Sequence, residues 1–265
     1  SLPGAAVTSP ARDGFAVVTG AGRRLGAAFA QGLAADGWFV RLHYKSSEAE
    51  AEAVANAIRS QGGRCDLVQA DLADGDAAAA AILKPEGEAQ FCSLLVNNAS
   101  IFTFDTPASV SAASLAENYA INTAAPVLLA KAFAAQLPVG KGGLIVNLLD
   151  QKLFNLNPDF FAYTLSKAAL GAANVMLAQA LAPRIRVNAI APGITLPSAD
   201  QTEAEFEIAR ATPPLGRGST ADDLVAALRY LISAQAMTGQ TLIIDGGQNL
   251  VPAARDVMFT VRGET

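Results

Sequence analysis

Residues 15–37 read "FAVVTGAGRRLGAAFAQGLAADG". Phe15 to Val18 form an apolar run with no polar interruption, as in a strand buried on both faces. The run closes at Gly20. From 27 to 37 the pattern becomes that of an amphipathic helix, stopped by Gly37. Gly20 permits a tight turn, Gly26 permits close packing of helix on sheet, and Arg24 and Leu25 lie between them. Amides left open at the helix start, aided by the helix dipole, can hold a phosphate. The stretch therefore predicts a dinucleotide site; a purely structural strand-to-helix turn is the alternative.

The alternation continues along the chain. Further strands are expected at 38–44 (WFVRLHY), 65–72 (CDLVQADL), 91–100 (FCSLLVNNAS), 143–149 (GLIVNLL), 184–193 (RIRVNAIAPG) and 240–247 (QTLIIDGG). Helices are expected at 48–63, 160–182 and 220–233, with a long helical tract over 111–137 kinked at Pro126. Apolar strands separated by helices predict an α/β fold, a seven-stranded parallel sheet with helices on both faces. The expected organisation is a loose N-terminal arm (1–13), one domain (14–248) and a tail (249–265). Within the domain, 195–219 has no strand signal and reads as a short helical flap; the tail is apolar enough to pack on something, a neighbouring subunit included.

Composition narrows the function. The chain has 265 residues, 51% hydrophobic and 16% charged, which is the profile of a well-buried globular protein. A net charge of −5 argues against nucleic acid as partner. No apolar run reaches the roughly 18–20 residues of a membrane span, and the opening residues do not read as a leader. Cys65 and Cys92 lack metal-like spacing and read as inert buried thiols, a usage that fits a reducing cytoplasm. His43 is the single histidine, so no multi-histidine metal site is expected.

The end of the second strand bears on which dinucleotide is used. NAD selection usually places an acid there to grip the ribose hydroxyls. Residues 38–47, "WFVRLHYKSS", contain none; Lys45, Ser46 and Ser47 stand there instead, with Arg24 near. Cations and donors suit a 2′-phosphate, so NADP is expected. His43 is most simply structural and could alternatively meet that phosphate or the adenosine. Asp71 could accept from the adenine amino group with Leu72 covering the ring edge, or it could cap a turn.

Tyr163 and Lys167 are four residues apart and share one face of the expected 160–182 helix. A free Tyr has a pKa near about 10, and a neighbouring ammonium favours the phenolate. The pair therefore suggests a proton donor and acceptor, with Lys167 also able to hold a ribose. Thirteen residues before the Tyr, where a neutral hydroxyl would serve carbonyl chemistry, stands the carboxylate Asp150.

Taken in order, "TGAGRRLG" (19–26), "ADL" (70–72), "NNAS" (97–100), Asn122, "YTLSK" (163–167), "RVNAIAPG" (186–193) and "IDGG" (244–247) resemble the short-chain dehydrogenase/reductase family over about 14–248. The resemblance implies a single-domain Rossmann fold, with Tyr163 as acid/base and Lys167 lowering its pKa. It also implies that Asn122 holds a water in the proton relay. Asn98, Ala99 and Ser100 would floor the cofactor site, and Pro192, Gly193 and Thr195 would approach the nicotinamide. Two departures stand out: Arg24 replaces the usual middle glycine and Asp150 the usual serine. Both resemble the family's pteridine reductase branch, as do His43, Tyr44 and Ser47 after the second strand. So does Phe102 in "NNASIF", where that branch stacks a pterin; Ser100 would lie beside the substrate. The resemblance thus implies an NADPH-dependent reductase of a pteridine-like small molecule, homotetrameric; the cysteine usage adds the expectation of a cytoplasmic location. Asp150, protonated by burial, would help deliver a proton to a ring nitrogen. A ketone or aldehyde reductase, with Asp150 only positioning substrate or water, is the alternative.

Overall fold

The computed structural model describes residues 9–197 and 201–262. Seven strands form one parallel sheet in the order β3-β2-β1-β4-β5-β6-β7. In chain order the elements are β1 (Phe15–Val18), α1 (Arg24–Ala35), β2 (Phe39–Tyr44), α2 (Glu48–Ser60), β3 (Arg64–Gln69), α3 (Asp76–Ile82), β4 (Cys92–Asn97), α4 (Ala112–Tyr119), α5 (Ala125–Gln136), β5 (Gly143–Leu148), α6 (Phe161–Leu181), β6 (Ile185–Pro192), α7 (Glu203–Ala211), α8 (Ala221–Ser233), β7 (Thr241–Ile244) and α9 (Val257–Val261). The fold class and all seven strands follow the expectation; the 195–219 stretch contains α7. Residues 198–200 of the flap lie outside the described residues. Among the described residues no helix is long and apolar enough to cross a membrane.

Consecutive strand residues serve opposite faces. Ala16, Val18, Leu94, Val96, Leu144 and Val146 pack under α1, α2 and α8, while Phe15, Val17, Leu95, Ile145 and Val187 pack under α3, α5 and α6. Both faces are thus apolar, which is why the strands read as unbroken runs. The chain leaves β1 toward β2 and β3, then returns to β4 on the other side. The connections that follow β1 and β4 run to opposite faces of the sheet there, and open α/β sheets bind ligands at such a crevice.

Four details depart from expectation. Helix α3 was not anticipated in the stretch between 72 and 91. The irregularity expected at Pro126 is a π-helical segment, Ala120–Ala124, just before it; Pro126 has no N–H to give the carbonyl of Asn122. The arm is held at its inner end, where Ala11 donates to Gly142 O (3.0 Å) and accepts from Ser93 Oγ (2.6 Å); residues 1–8 lie outside the described residues. Cys92 is buried but Cys65 is only partly so, its thiol 3.6 Å from Ala55 O.

Candidate active site at the strand crevice

The phosphate turn is held by side chains from β1 and β4. Thr19 Oγ1 accepts from the amides of Asn98 and Ala99, both at 3.0 Å. Asn98 Nδ2 donates in return to the carbonyls of Thr19 (3.0 Å) and Gly20 (3.3 Å). Gly20 has φ +63°, and a Cβ on Gly26 would stand 2.0 Å from Gly20 O. Only glycine fits there, so helix α1 starts hard against the turn. Arg24 occupies the left-handed region at φ +52°, where glycine is usual, and its guanidinium reaches Leu196 O at 3.3 Å. The turn thereby touches the start of the flap.

His43 has the structural task. It is 2% exposed; its Nδ1 accepts from Gly20 N (3.1 Å) and its Nε2 pairs with Ala70 O (3.0 Å). Neither nitrogen is left for a phosphate, which overturns that part of the expectation. Burial holds its pKa below the usual value, so the ring is neutral. Asp71 caps the 3-10 turn Leu72–Asp74 through Ala73 N (3.0 Å) and pairs with Lys45 at 2.7 Å. Leu72 is buried and packs in the core with α3 and α5, which leaves little of it to cover a base. Tyr44 is nearly buried, its hydroxyl 3.4 Å from Glu48. Ser47 precedes α2 and abuts Gly22, where a Cβ would meet its Oγ at 3.2 Å.

Helix α6 carries Tyr163 and Lys167, and polar contacts fix its position. Asp105 Oδ1 accepts from Ala162 N at its first turn (3.0 Å). Asn97, Asn147 and Asn174 form a buried ladder from β4 through β5 to α6, at 2.9 and 3.0 Å. Tyr163 then donates to Asp150 Oδ2 at 2.9 Å, while Asp150 Oδ1 accepts from Lys152 N at 2.8 Å. Lys167 Nζ donates to Leu148 O at 2.7 Å and stands 5.8 Å from the Tyr163 ring centre.

Burial raises the Asp150 pKa above the ordinary carboxylate value; the Lys152 amide and the Tyr163 hydroxyl oppose this, and the Asp256 charge adds to it. Burial, followed by the Asp150 charge, pushes Tyr163 well above the ordinary phenol value. The depression of Tyr163 by Lys167 is therefore corrected: the carboxyl group touches the phenol, and the ammonium is bonded elsewhere. Burial pushes Lys167 itself down to about 8.

Asn122 sits in the π-helical segment with a fully engaged side chain. Its Oδ1 accepts from Ile101 N (2.9 Å), and its Nδ2 is shared among Ile101 O, Asn118 and Ser166 Oγ. A water held by that side chain is thus not supported. The Asn122 carbonyl has no α-helical donor, because Pro126 lacks an N–H.

Over these groups opens a cleft of about 780 Å³. It brings together Gly20, Arg24, Leu25, Asn98, Ala99, Ser100, Phe102, Asp150, Tyr163, Lys167, Pro192, Gly193 and Thr195; Gly26, His43, Tyr44, Ser47, Asp71, Leu72 and Asn122 are not in its lining. Phe102 is 46% exposed, with one face stacked on Phe160 (4.0 Å, 14°) and its ring edge-on to Tyr163 (4.7 Å, 85°). The tail closes one side, since Asp256, Val257, Met258, Phe259 and Arg262 all line the cleft. It packs on its own chain: Lys152 Nζ meets Asp256 Oδ2 (3.2 Å), Arg255 pairs with Asp159 (2.9 Å) and Arg262 with Glu205 of α7 (2.9 Å). Sequence reasoning missed these tail residues. The one signal was the tail's apolar composition.

A family model for short chain dehydrogenase matches residues 14–207. The chain belongs to that family. Its members are nicotinamide-dependent oxidoreductases. A solved FolM alternative dihydrofolate reductase 1 from Brucella canis, complexed with NADP, is 41% identical with a TM-score of 0.84, covering 93% of this chain and 98% of its own. Pteridine reductase 1 from Leishmania tarentolae is 30% identical over 294 residues, 93% of this chain and 99% of its own. The solved promiscuous reductase LugOII, described as catalysing a keto-reduction, is 30% identical with a TM-score of 0.81, over 92% and 100% of the two chains.

Proposed function

We propose that this protein is an NADPH-dependent reductase of a pteridine ring, of the dihydropterin or dihydrofolate kind. The observation that carries the reading is the 2.9 Å hydrogen bond from Tyr163 to Asp150 beside the exposed ring of Phe102. A ketone reductase needs one neutral donor next to its tyrosine. Reducing a C=N bond of a heterocycle instead requires a proton at a ring nitrogen, and a buried carboxylic acid is suited to give it. The similarity to the Brucella and Leishmania reductases supports the same choice.

The residues fit a dinucleotide. The crevice holds a turn that admits no Cβ at Gly26, and Arg24 supplies a cation beside it with no acid in the sequence at the end of β2; Lys45 would add a second on exchanging Asp71 for a phosphate. Gly20, Arg24 and the Asn98–Ser100 stretch would hold the phosphates and ribose, and Lys167 the second ribose. Pro192, Gly193 and Thr195 would border the nicotinamide. Bound NADPH supplies the hydride. Asp150, protonated, donates through or beside Tyr163, and a water at the Asn122 carbonyl resupplies the proton. Phe102 covers one face of the flat substrate, with its own other face braced by Phe160.

The assay is NADPH oxidation with dihydrobiopterin, dihydrofolate and a panel of ketones, in the native protein and in Asp150→Ser. Pterin turnover that Asp150→Ser loses, with ketone turnover kept, supports the reading; turnover of ketones alone overturns it. That second outcome is the carbonyl-reductase reading, favoured by the likeness to LugOII. We also infer a homotetramer in the cytoplasm: Leu165, Val175 and Met176 of α6 and Tyr119 of α4 are exposed apolar side chains beside the Ala/Gly-rich face of α6. Sedimentation velocity tests the assembly.

A further inference from the structure

Gln151 follows Asp150 directly and opens the 3-10 turn Gln151–Phe154. It lines the cleft and is 9% exposed. Its Oε1 is buried, and among the described residues it has no hydrogen-bond partner. The neighbours that could have served it are committed elsewhere. Asp150 is held by the Lys152 amide and by Tyr163, and Lys152 Nζ by Asp256. A buried amide left open destabilises a fold, and an apolar side chain of the same length would avoid the penalty. Oε1 faces protein rather than the cleft, but the residue lines the cleft, so a turn of the side chain would bring the open amide to a ligand there.

We infer that Gln151 is a substrate-recognition residue, pairing with a donor–acceptor edge of a flat N-heterocycle at the same site as Asp150; this rests on the pteridine reading. A carboxamide offers an acceptor and two donors, whichever way its oxygen and nitrogen are assigned. The 2-amino-4-oxo edge of a pterin presents donors and an acceptor side by side. A simple ketone or aldehyde presents one acceptor, which Tyr163 already uses. Gln151 would therefore be left unpaired by a carbonyl substrate and satisfied by a pterin, a basis for discrimination between the two.

The test is Gln151→Met, which keeps length and shape and removes the amide, with Gln151→Glu as a second variant that keeps acceptors but loses both donors. Steady-state kinetics with NADPH and dihydrobiopterin are read beside the melting temperature. The expected result for Gln151→Met is a KM for dihydrobiopterin raised about 5- to 100-fold, from a lost hydrogen bond at a buried site. Its melting temperature should be unchanged or higher, and Gln151→Glu should also raise KM. An unchanged KM in both variants, or a KM effect matched by a large fall in melting temperature, assigns the amide to the scaffold and overturns the inference. If the native protein turns over dihydropterins but the variants keep its KM, only the role of Gln151 falls. If the native protein turns over none, the pteridine reading falls and this inference with it.

Discussion

The hydroxyl of Tyr163 donates a hydrogen bond to Asp150 Oδ2 at 2.9 Å, and Lys167, one helical turn along α6, donates to Leu148 O instead. The phenol is thus coupled to an acid before it is coupled to a base. Two interacting buried groups titrate as a pair, so their protons belong to the unit rather than to either residue. For a reaction that consumes a proton, such a unit holds one more transferable proton than a tyrosine beside a serine.

The pH profile should carry this signature. Burial favours the protonated form of Asp150, so its pKa lies above the ordinary carboxylate value. Pterin reduction needs that proton, and kcat/KM should fall as pH rises through the raised pKa. Asp150→Ser should remove this limb and lower pterin kcat/KM by about 10²- to 10⁴-fold, the usual range for loss of a general acid. The folding contribution runs the same way: the raised pKa means the native state holds the proton more tightly, so this stability is present below the unfolded value and lost as pH rises. Rate profiles and melts over one pH series check both.

Arg24→Gly separates conformation from charge. A left-handed arginine costs roughly 1–2 kcal/mol, while glycine adds unfolded-state entropy of roughly 0.5–1 kcal/mol. The melting temperature should therefore move little. The lost guanidinium should raise KM for NADPH about 10-fold or more, as for a charge-assisted hydrogen bond. KM measured for NADPH and NADH in both proteins decides the point.

Gly26→Ala should be far more damaging. Its Cβ would stand 2.0 Å from a backbone carbonyl, and no side chain can move to admit it. A loss of about 1–3 kcal/mol is expected from overpacking alone, together with loss of NADPH binding as the turn shifts. Thermal melts and nucleotide titration measure the two effects.

The ion pair of Lys152 and Asp256 joins the tail to the acid's own turn, with side chains 3% and 19% exposed. Asp256→Asn leaves a buried cation unpaired and should cost about 3–5 kcal/mol, whereas combining it with Lys152→Met should recover much of that. Because the Asp256 charge raises the pKa of both Asp150 and Tyr163, the single variant should also move the fall in kcat/KM with rising pH to lower pH. A double-mutant cycle in denaturant and the pH–rate profile test the two halves.

The parts legible in the sequence were those with local signatures. The glycine turn at 20–26, the double-faced apolar strands and the Tyr163–Lys167 spacing each express one element's own geometry. Helix α3 was missed because "DAAAAAI" has strong helix propensity but almost no hydrophobic contrast to set a period. His43 was ambiguous because its role lies in two backbone partners, 23 and 27 residues away. The wall contributed by Asp256 and Phe259 was hidden for the same reason, since Lys152 and Asp256 are 104 residues apart. The direction of the Tyr163 shift depended on which neighbour touches the phenol, and spacing along a helix does not rank distances.

The lone imidazole also makes this molecule its own reporter. A neutral ring whose Nδ1 receives the amide of Gly20 can carry its proton only on Nε2, so one tautomer is enforced. Nitrogen-15 labelling of histidine would give a single pair of ring resonances, without mutation or attached dye. Any occupant that tugs on the glycine amide should move the Nδ1 signal, giving a direct spectroscopic titration of nucleotide entering the crevice.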